Sequence, residues 1–249
     1  MGRSLGRPLF FERLIMELID KYKPTALEDL VIGNQEIKYF LEDMLDPKFM
    51  RFKICLVGNN GTGKSTIAEL LPKLIEGFNP EIITLVGDEK FNVDDALNQL
   101  KNINNFGGWT GQKYQYVAFN EIDKVKTNLA AFWQMADKWE SNVLLIATAN
   151  NYMNIDKCLR SRFKFIDFEY VKSEEFLPRA IFILEKEGIY LADNYVSSEL
   201  YKKQAMGDIR KYMDTVSDLH RNALKGRIAA KHFRKPLIKK PTSPHLTLV

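Results

Sequence analysis

The nine residues Gly58-Asn59-Asn60-Gly61-Thr62-Gly63-Lys64-Ser65-Thr66 constrain this chain more than any other stretch. They follow the apolar run Ile54-Cys55-Leu56-Val57 and lead into Ile67-Ala68-Glu69-Leu70-Leu71. That is a buried strand, a glycine-rich turn and a helix, the setting that a GxxxxGK[ST] pattern requires. Glycines let the backbone curl until several N–H groups converge, and the helix behind them adds the positive end of its dipole. Lys64 is placed to reach terminal phosphates, and the Ser65 hydroxyl to meet Mg²⁺. The spacing therefore predicts a nucleoside triphosphate site built from Gly58 through Thr66.

From residue 53 to residue 168 short apolar runs at 53–57, 82–87, 116–119, 143–148 and 164–168 alternate with helical patterns near 63–75, 93–103, 128–139 and 154–160. Alternation at this spacing predicts an α/β fold, a parallel sheet with helices on both faces. Strand signals stop near residue 170. Helical patterns near 173–187, 194–204 and 207–225, broken at Gly188 and Gly207, predict a small all-helical second domain, from which Arg210 could fold over the phosphates as a lid. The expected organisation is an amphipathic helix in 1–20, the phosphate-loop α/β domain in 21–170, the lid in 171–225 and a flexible basic tail in 226–249. Leu9, Phe10, Phe11, Leu14, Ile15, Leu18 and Ile19 share one face of the first helix, and 104–112, with Trp109, reads as an exposed loop.

The net charge of +4 is unevenly placed: residues 225–249 carry five Lys and two Arg without an acid, leaving the rest near −3. Such a tail suits phosphate backbones without sequence preference. Cys55 and Cys158 give no disulfide framework, which fits a reducing cytoplasm. His220, His232 and His245 have no metal-ligand spacing. No apolar run approaches the ~18 residues of a membrane span. Glu12, Arg13 and Glu17 interrupt the N-terminal apolar run and argue against an export signal.

Two strand ends carry chemistry. Tyr116-Val117-Ala118-Phe119 delivers Asn120, Glu121 and Asp123 at the carboxyl edge of the sheet, where ligands lie in folds of this type. Glu121 is the candidate base for the attacking water. An aspartate usually precedes that glutamate and holds Mg²⁺ through its water shell. Asn120 can accept a hydrogen bond there but brings no charge, so weak metal retention and slow turnover are expected. Asp123 is a second-choice substitute for that aspartate and reads first as the cap of the next helix. Val143-Leu144-Leu145-Ile146-Ala147-Thr148 runs to Asn150, whose amide suits a sensor of the terminal phosphate.

Taken in order, Lys21-Tyr22-Lys23-Pro24, the Gly58–Thr66 loop, Phe119-Asn120-Glu121-Ile122-Asp123, Thr148-Ala149-Asn150-Asn151, Ser161-Arg162-Phe163 and Gly207-Asp208-Ile209-Arg210-Lys211-Tyr212-Met213 resemble the small ATPase subunits of sliding-clamp loaders. These are the replication factor C group and its phage counterparts among the AAA+ ATPases. The resemblance spans roughly residues 20–225. It implies ATP and Mg²⁺ as ligands, with Ser65 and Asn120 at the metal and Tyr22, Pro24 and Ile32 around the adenine. Glu121 would be the base, Asn150 the first sensor and Arg210, on the lid, the second. Arg162 would be a finger acting on an adjacent subunit's ATP. Implied partners are a sliding clamp, other clamp-loader or replisome subunits and primer–template DNA, in an oligomer formed with ATP. The implied setting is the cytoplasm, the host's for a phage protein. Lys90, Lys124 and Lys126 would face DNA.

Three departures stand out. Asn120 replaces the metal-proximal aspartate, and Phe163 stands where the family commonly has cysteine. The family's third helical domain, a collar of about 100 residues, has no counterpart after the lid. The tail's Leu246-Thr247-Leu248-Val249 faintly resembles clamp-docking peptides. Two other functions fit the same residues: a nucleotide-binding adaptor with little or no hydrolysis, and a helicase-loader-type AAA+ protein.

Overall fold

The computed structural model describes residues 18–101, 111–139, 142–202 and 207–235. Most of the amphipathic stripe, Trp109 and the tail beyond 235 lie outside the described residues.

Helix α1 (Gln35–Asp43) starts where the Asn34 side chain accepts from the Glu36 N–H, a polar cap on an otherwise orphan donor. Strands β1 (Lys53–Gly58), β2 (Ile82–Val86), β3 (Gln115–Asn120), β4 (Val143–Ala149) and β5 (Lys164–Phe168) form one parallel sheet in the order β2-β3-β4-β1-β5. The crossovers carry α2 (Lys64–Glu76), α3 (Val93–Leu100), α4 (Ala130–Ala136) and the short α5 (Lys157–Arg160). Each strand lies within a residue of its sequence expectation. Helices α3, α4 and α5 are shorter than the patterns suggested.

Side chains alternate across the pleat, so each central strand feeds two cores. Cys55, Val57, Val117, Phe119, Leu145 and Ala147 pack with α3 and α4 on one face. Ile54, Leu56, Tyr116, Leu144 and Ile146 pack with Ile37 and Leu41 of α1 and Ile67 and Leu71 of α2 on the other. Burial on both sides explains why β4 reads as an unbroken apolar run. The register sets Val57 beside Ala149 and Gly58 beside Phe168, so the ends of β1, β4 and β5 arrive together.

Helices α6 (Ser173–Lys186), α7 (Asp193–Lys202) and α8 (Ile209–Leu224) build the lid around a core of their own. Tyr212, fully buried, donates to the Val171 carbonyl at 3.1 Å and stacks on Phe176 at 5.1 Å. Leu18 joins this lid core, with Tyr22 and Val31 packed against it. The chain before β1 is thus a strap across both units. Lys21 and Tyr22 donate to Glu187, while Arg179 donates to Asp29 at 2.7 Å and to the Tyr22 carbonyl at 3.0 Å.

The expectation of a flexible tail from 226 does not hold for its first ten residues. Phe233 bridges Leu191, and the Arg234 N–H donates to the Tyr190 carbonyl. The Arg234 guanidinium donates to the Leu191 carbonyl at 2.9 Å and to Glu185 at 2.6 Å. His232 stacks on Tyr195 at 4.1 Å. Apolar and aromatic groups between the lysines (Ile228, Phe233) give this stretch something to bury, which its charge count hid. Arg234→Ala removes the guanidinium's share of the anchor and is expected to cost about 1–3 kcal/mol, read as a lower midpoint in urea unfolding.

Candidate functional site

The phosphate loop carries positive φ angles at Gly58, Gly61 and Gly63. The lid closes on it at Gly61. The Ile209 N–H donates to the Gly61 carbonyl at 2.9 Å, and a Cβ on Gly61 would meet the Asp208 carboxylate at 1.9 Å. Asp208 also caps α8 by accepting from the Arg210 N–H. Only a glycine lets loop and lid approach this closely.

Lys64 stands in the first turn of α2, at the positive end of the helix dipole, and is 6% exposed. Its ammonium donates to the Gly58 and Asn59 carbonyls, both at 2.7 Å. Burial pushes its pKa down to about 8, with Asp123 and Glu121 pulling upward and Arg210 downward. A buried cation at a helix N-terminus opposes two local preferences, and a polyanion in the loop satisfies both.

Asn60, Gly61, Gly63, Lys64, Ser65 and Thr66 line a cavity of about 200 Å³ together with Glu121, Thr148, Asn150, Ile209 and Arg210. A second cavity of about 260 Å³ shares Gly63, Thr66, Ile209 and Arg210 with the first. It is predominantly apolar and lies between the strap (Pro24, Ile32), Thr62 of the loop and the lid residues Phe176 and Met213. A polar cradle opening into an apolar slot suits a triphosphate and its base.

The expected site residues fall into place unevenly. Pro24 and Ile32 border the apolar slot, but Tyr22 does not: its hydroxyl points to Glu187 and its ring packs on the lid. Gly58 and Asn59 meet the site through the carbonyls that hold Lys64, and Asn59 also accepts from the Thr62 hydroxyl at 3.0 Å. Glu121 has φ 55°, the left-handed region, and is alone among described non-glycine residues in this. Its carboxylate accepts from Lys124 at 2.7 Å. Asn120 ends β3 with its Oδ1 accepting from the Thr148 hydroxyl at 3.3 Å. Arg210 borders both cavities, with its side chain exposed and 3.4 Å from Asp208.

Asp123 does not cap a helix through its side chain. Its Oδ2 accepts from the N–H groups of Asn150 at 3.1 Å and Asn151 at 3.0 Å, so it holds the loop that presents Asn150. Arg162 sits elsewhere: it donates to Asp137 at 2.9 Å and to the Cys158 carbonyl at 2.7 Å, and Asp137 also binds Lys53. Lys53 opens β1 and Lys164 opens β5, so Arg162 lies at the amino edge of the sheet. The phosphate loop leaves the carboxyl edge, about 17 Å away along six residues of strand.

Sequence reasoning overlooked Thr148, Arg179 and the Asp137 partner of Arg162. For Thr148 a signal was present, a hydroxyl within an apolar strand one residue before the sensor turn. Asp137 lies far from Arg162 in sequence and carried none. Cys55, whose thiol burial pushes up to about 12, is inert, whereas Cys158 is exposed.

Fold and cradle together define a P-loop ATPase domain. Residues 54–170 match the family model of the ATPase family associated with various cellular activities (AAA). The chain is 23% identical over 214 residues to the replication factor C small subunit of Archaeoglobus fulgidus, covering 85% of this chain and 63% of that protein. It is 26% identical over 225 residues to the sliding-clamp-loader large subunit of Enterobacteria phage T4, covering 86% and 66%. The chain thus spans a little under two thirds of the length of these curated relatives. Among solved structures, the Thermotoga maritima RuvB Holliday junction branch migration motor superposes with a TM-score of 0.65 at 15% identity, covering 82% of this chain and 67% of that one, a likeness of fold.

The Lys64 environment makes nucleotide binding pH-dependent. A triphosphate beside the ammonium raises its pKa, so binding takes up a proton wherever free Lys64 is deprotonated. Affinity is full below pH 8 and falls as pH rises through about 8. Calorimetric titration with an ATP analogue at pH 8.5, in buffers of different ionisation enthalpy, is expected to show uptake of roughly 0.5–0.8 proton, and near zero at pH 6.5.

Proposed function

We propose that this chain binds ATP with Mg²⁺, hydrolyses it slowly between copies or homologous subunits, and couples that cycle to a sliding clamp on primer–template DNA. The observation that supports it is the separation of Arg162 from the cradle. Glu121, Asn150, Lys64 and Arg210 converge on one cavity, while Arg162 stands at the other edge of the sheet, able to serve only another molecule's nucleotide. The clamp-loader relatives supply the partners, and the basic stretch after residue 225 suits a polyanion.

The residues present fit the nucleotide. The loop curls around a polar cavity, Lys64 is a buried cation satisfied only by carbonyls, and the slot beside it is apolar. For the metal the fit runs through the nucleotide: no group of three or more His, Cys, Asp or Glu is arranged to hold an ion among the described residues. Mg²⁺ is commonly held by phosphate oxygens and few protein groups; here Ser65 would offer its hydroxyl from the cavity wall, and Asn120 stands behind Thr148. Bound MgATP supplies the transferable phosphoryl group and neutralises part of its charge.

The chain's own groups would then divide the work. Lys64 leaves its loop carbonyls for the terminal phosphates. Glu121 parts from Lys124 and takes the proton of the attacking water. Asn150, held by Asp123, orients that water by its amide. Arg210 closes from the lid, and Arg162 parts from Asp137 to reach the neighbour's transition state, a contribution on the order of 10³–10⁵ in rate. In the apolar slot Pro24 and Ile32 receive the base.

One observation favours the adaptor reading. Asn120 is uncharged and its amide oxygen already accepts from Thr148, so the residue before Glu121 brings no charge to the metal. Single-turnover hydrolysis by wild type and Asn120→Asp separates the two readings: a rate that is measurable in wild type supports the motor, and a rate seen only in the variant supports the adaptor.

Mixing tests the division between subunits. Arg162→Ala is expected to bind an ATP analogue like wild type yet lose DNA- and clamp-stimulated turnover, and Lys64→Ala to lose binding. Mixed together, the two should regain turnover, because one supplies the cradle and the other the arginine. Wild-type turnover in Arg162→Ala alone would refute the shared site.

A further inference from the structure

Thr148 is 2% exposed, lies within a strand otherwise wholly apolar, and yet borders the phosphate cavity. Its hydroxyl accepts from the Glu121 backbone N–H at 3.0 Å and donates to the Asn120 Oδ1 at 3.3 Å. We propose that Thr148 is the positioning residue of the hydrolytic site, which fixes the backbone of Glu121 and engages the side chain of Asn120 through one hydroxyl. The proposal rests on the ATPase reading above and deepens it.

Three contacts hold Glu121 in its left-handed conformation. Its N–H is taken by Thr148, and its carbonyl accepts from the Lys124 N–H at 3.0 Å. That carbonyl also faces Gly87, where a Cβ would stand 2.4 Å from it. The Gly87 N–H in turn donates to the Asn120 carbonyl at 2.7 Å, so β2 braces the same turn. A non-glycine residue at positive φ persists only where its surroundings over-determine it, and such residues gather at functional sites. Of the three contacts, only the one from Thr148 comes from a side chain at the cavity wall.

The hydroxyl's hydrogen bonds also assign the amide. A threonine has one proton to give. Having accepted from Glu121, Thr148 gives that proton to Asn120, where it takes one of the two lone pairs of the amide oxygen. Asn120 is not among the residues bordering the cavity, whereas Thr148 is. An aspartate at 120 would keep the Thr148 bond with one oxygen and have the second free, which gives Asn120→Asp a local cause for faster turnover.

The test compares Thr148→Val, which keeps shape and removes the hydroxyl, with Thr148→Ser, which restores it, in the full chain. The first measurement is hydrogen exchange of the Glu121 amide by NMR. Thr148→Val is expected to speed it about tenfold or more, and Thr148→Ser to return it near wild type. The second is single-turnover hydrolysis set against analogue affinity. Thr148→Val is expected to slow the former about tenfold while leaving the latter within about threefold, again with rescue by serine. Unchanged Glu121 protection in Thr148→Val, or a serine variant as impaired as valine, overturns the proposal. Should valine prevent folding, Thr148→Ala against Thr148→Ser reads the same two quantities. A wild type that binds ATP and never hydrolyses it would defeat the ATPase reading, and Glu121 exchange would still decide for or against Thr148.

Discussion

A cation buried at the positive end of a helix is the constraint on which the site depends. Lys64 is desolvated, it opposes the dipole of α2, and its ammonium rests on two loop carbonyls. Neither burial nor position serves stability by itself, since an unpaired buried charge is costly. The arrangement makes sense as stored affinity. The glycine loop and the lysine behind it suit the same thing, a compact polyanion, and the parallel sheet keeps both at the carboxyl edge of β1. Helices on both faces let that edge be the open one, because the sheet itself needs no water-facing side.

The lid shares this dependence. Its last helix, α8, begins against the phosphate loop, with Ile209 bonded to Gly61 and Asp208 lying where any larger side chain at 61 would go. The strap before β1 belongs to both units, contributing Leu18 to the lid core and Pro24 and Ile32 to the apolar slot. Arg179 on α6 ties the strap twice, at Asp29 and at the Tyr22 carbonyl. The slot is therefore walled by three segments far apart in sequence.

Much of the fold was legible because its signals are local. Five apolar runs, each bounded by turn residues, gave the parallel sheet, and the glycine pattern located the loop within one strand and one helix. Side-chain direction was less legible. Tyr22 sits two residues from Pro24 but turns to Glu187, a partner 165 positions away that no periodicity announces. Asp123 looked like a cap and instead grips the Asn150 turn, since the partner N–H groups are brought by β4 rather than by the next helix. The stretch from 226 to 235 looked like solvated tail because it carries lysines and arginines without an acid, while the Arg234 contacts depend on where α6 and α7 meet. Nothing in the sequence showed where Arg162 would rest, because Asp137 arrives from α4 across the sheet edge.

The two cysteines of this chain divide cleanly between interior and surface. Cys55 lies in the central strand with its thiol held protonated, and Cys158 stands in the open on the short helix whose backbone carbonyl receives Arg162. A maleimide dye or spin label added to the unaltered protein would attach at one place, a single turn of helix from the guanidinium. The unaltered sequence therefore carries a reporter handle beside the Arg162–Asp137 ion pair.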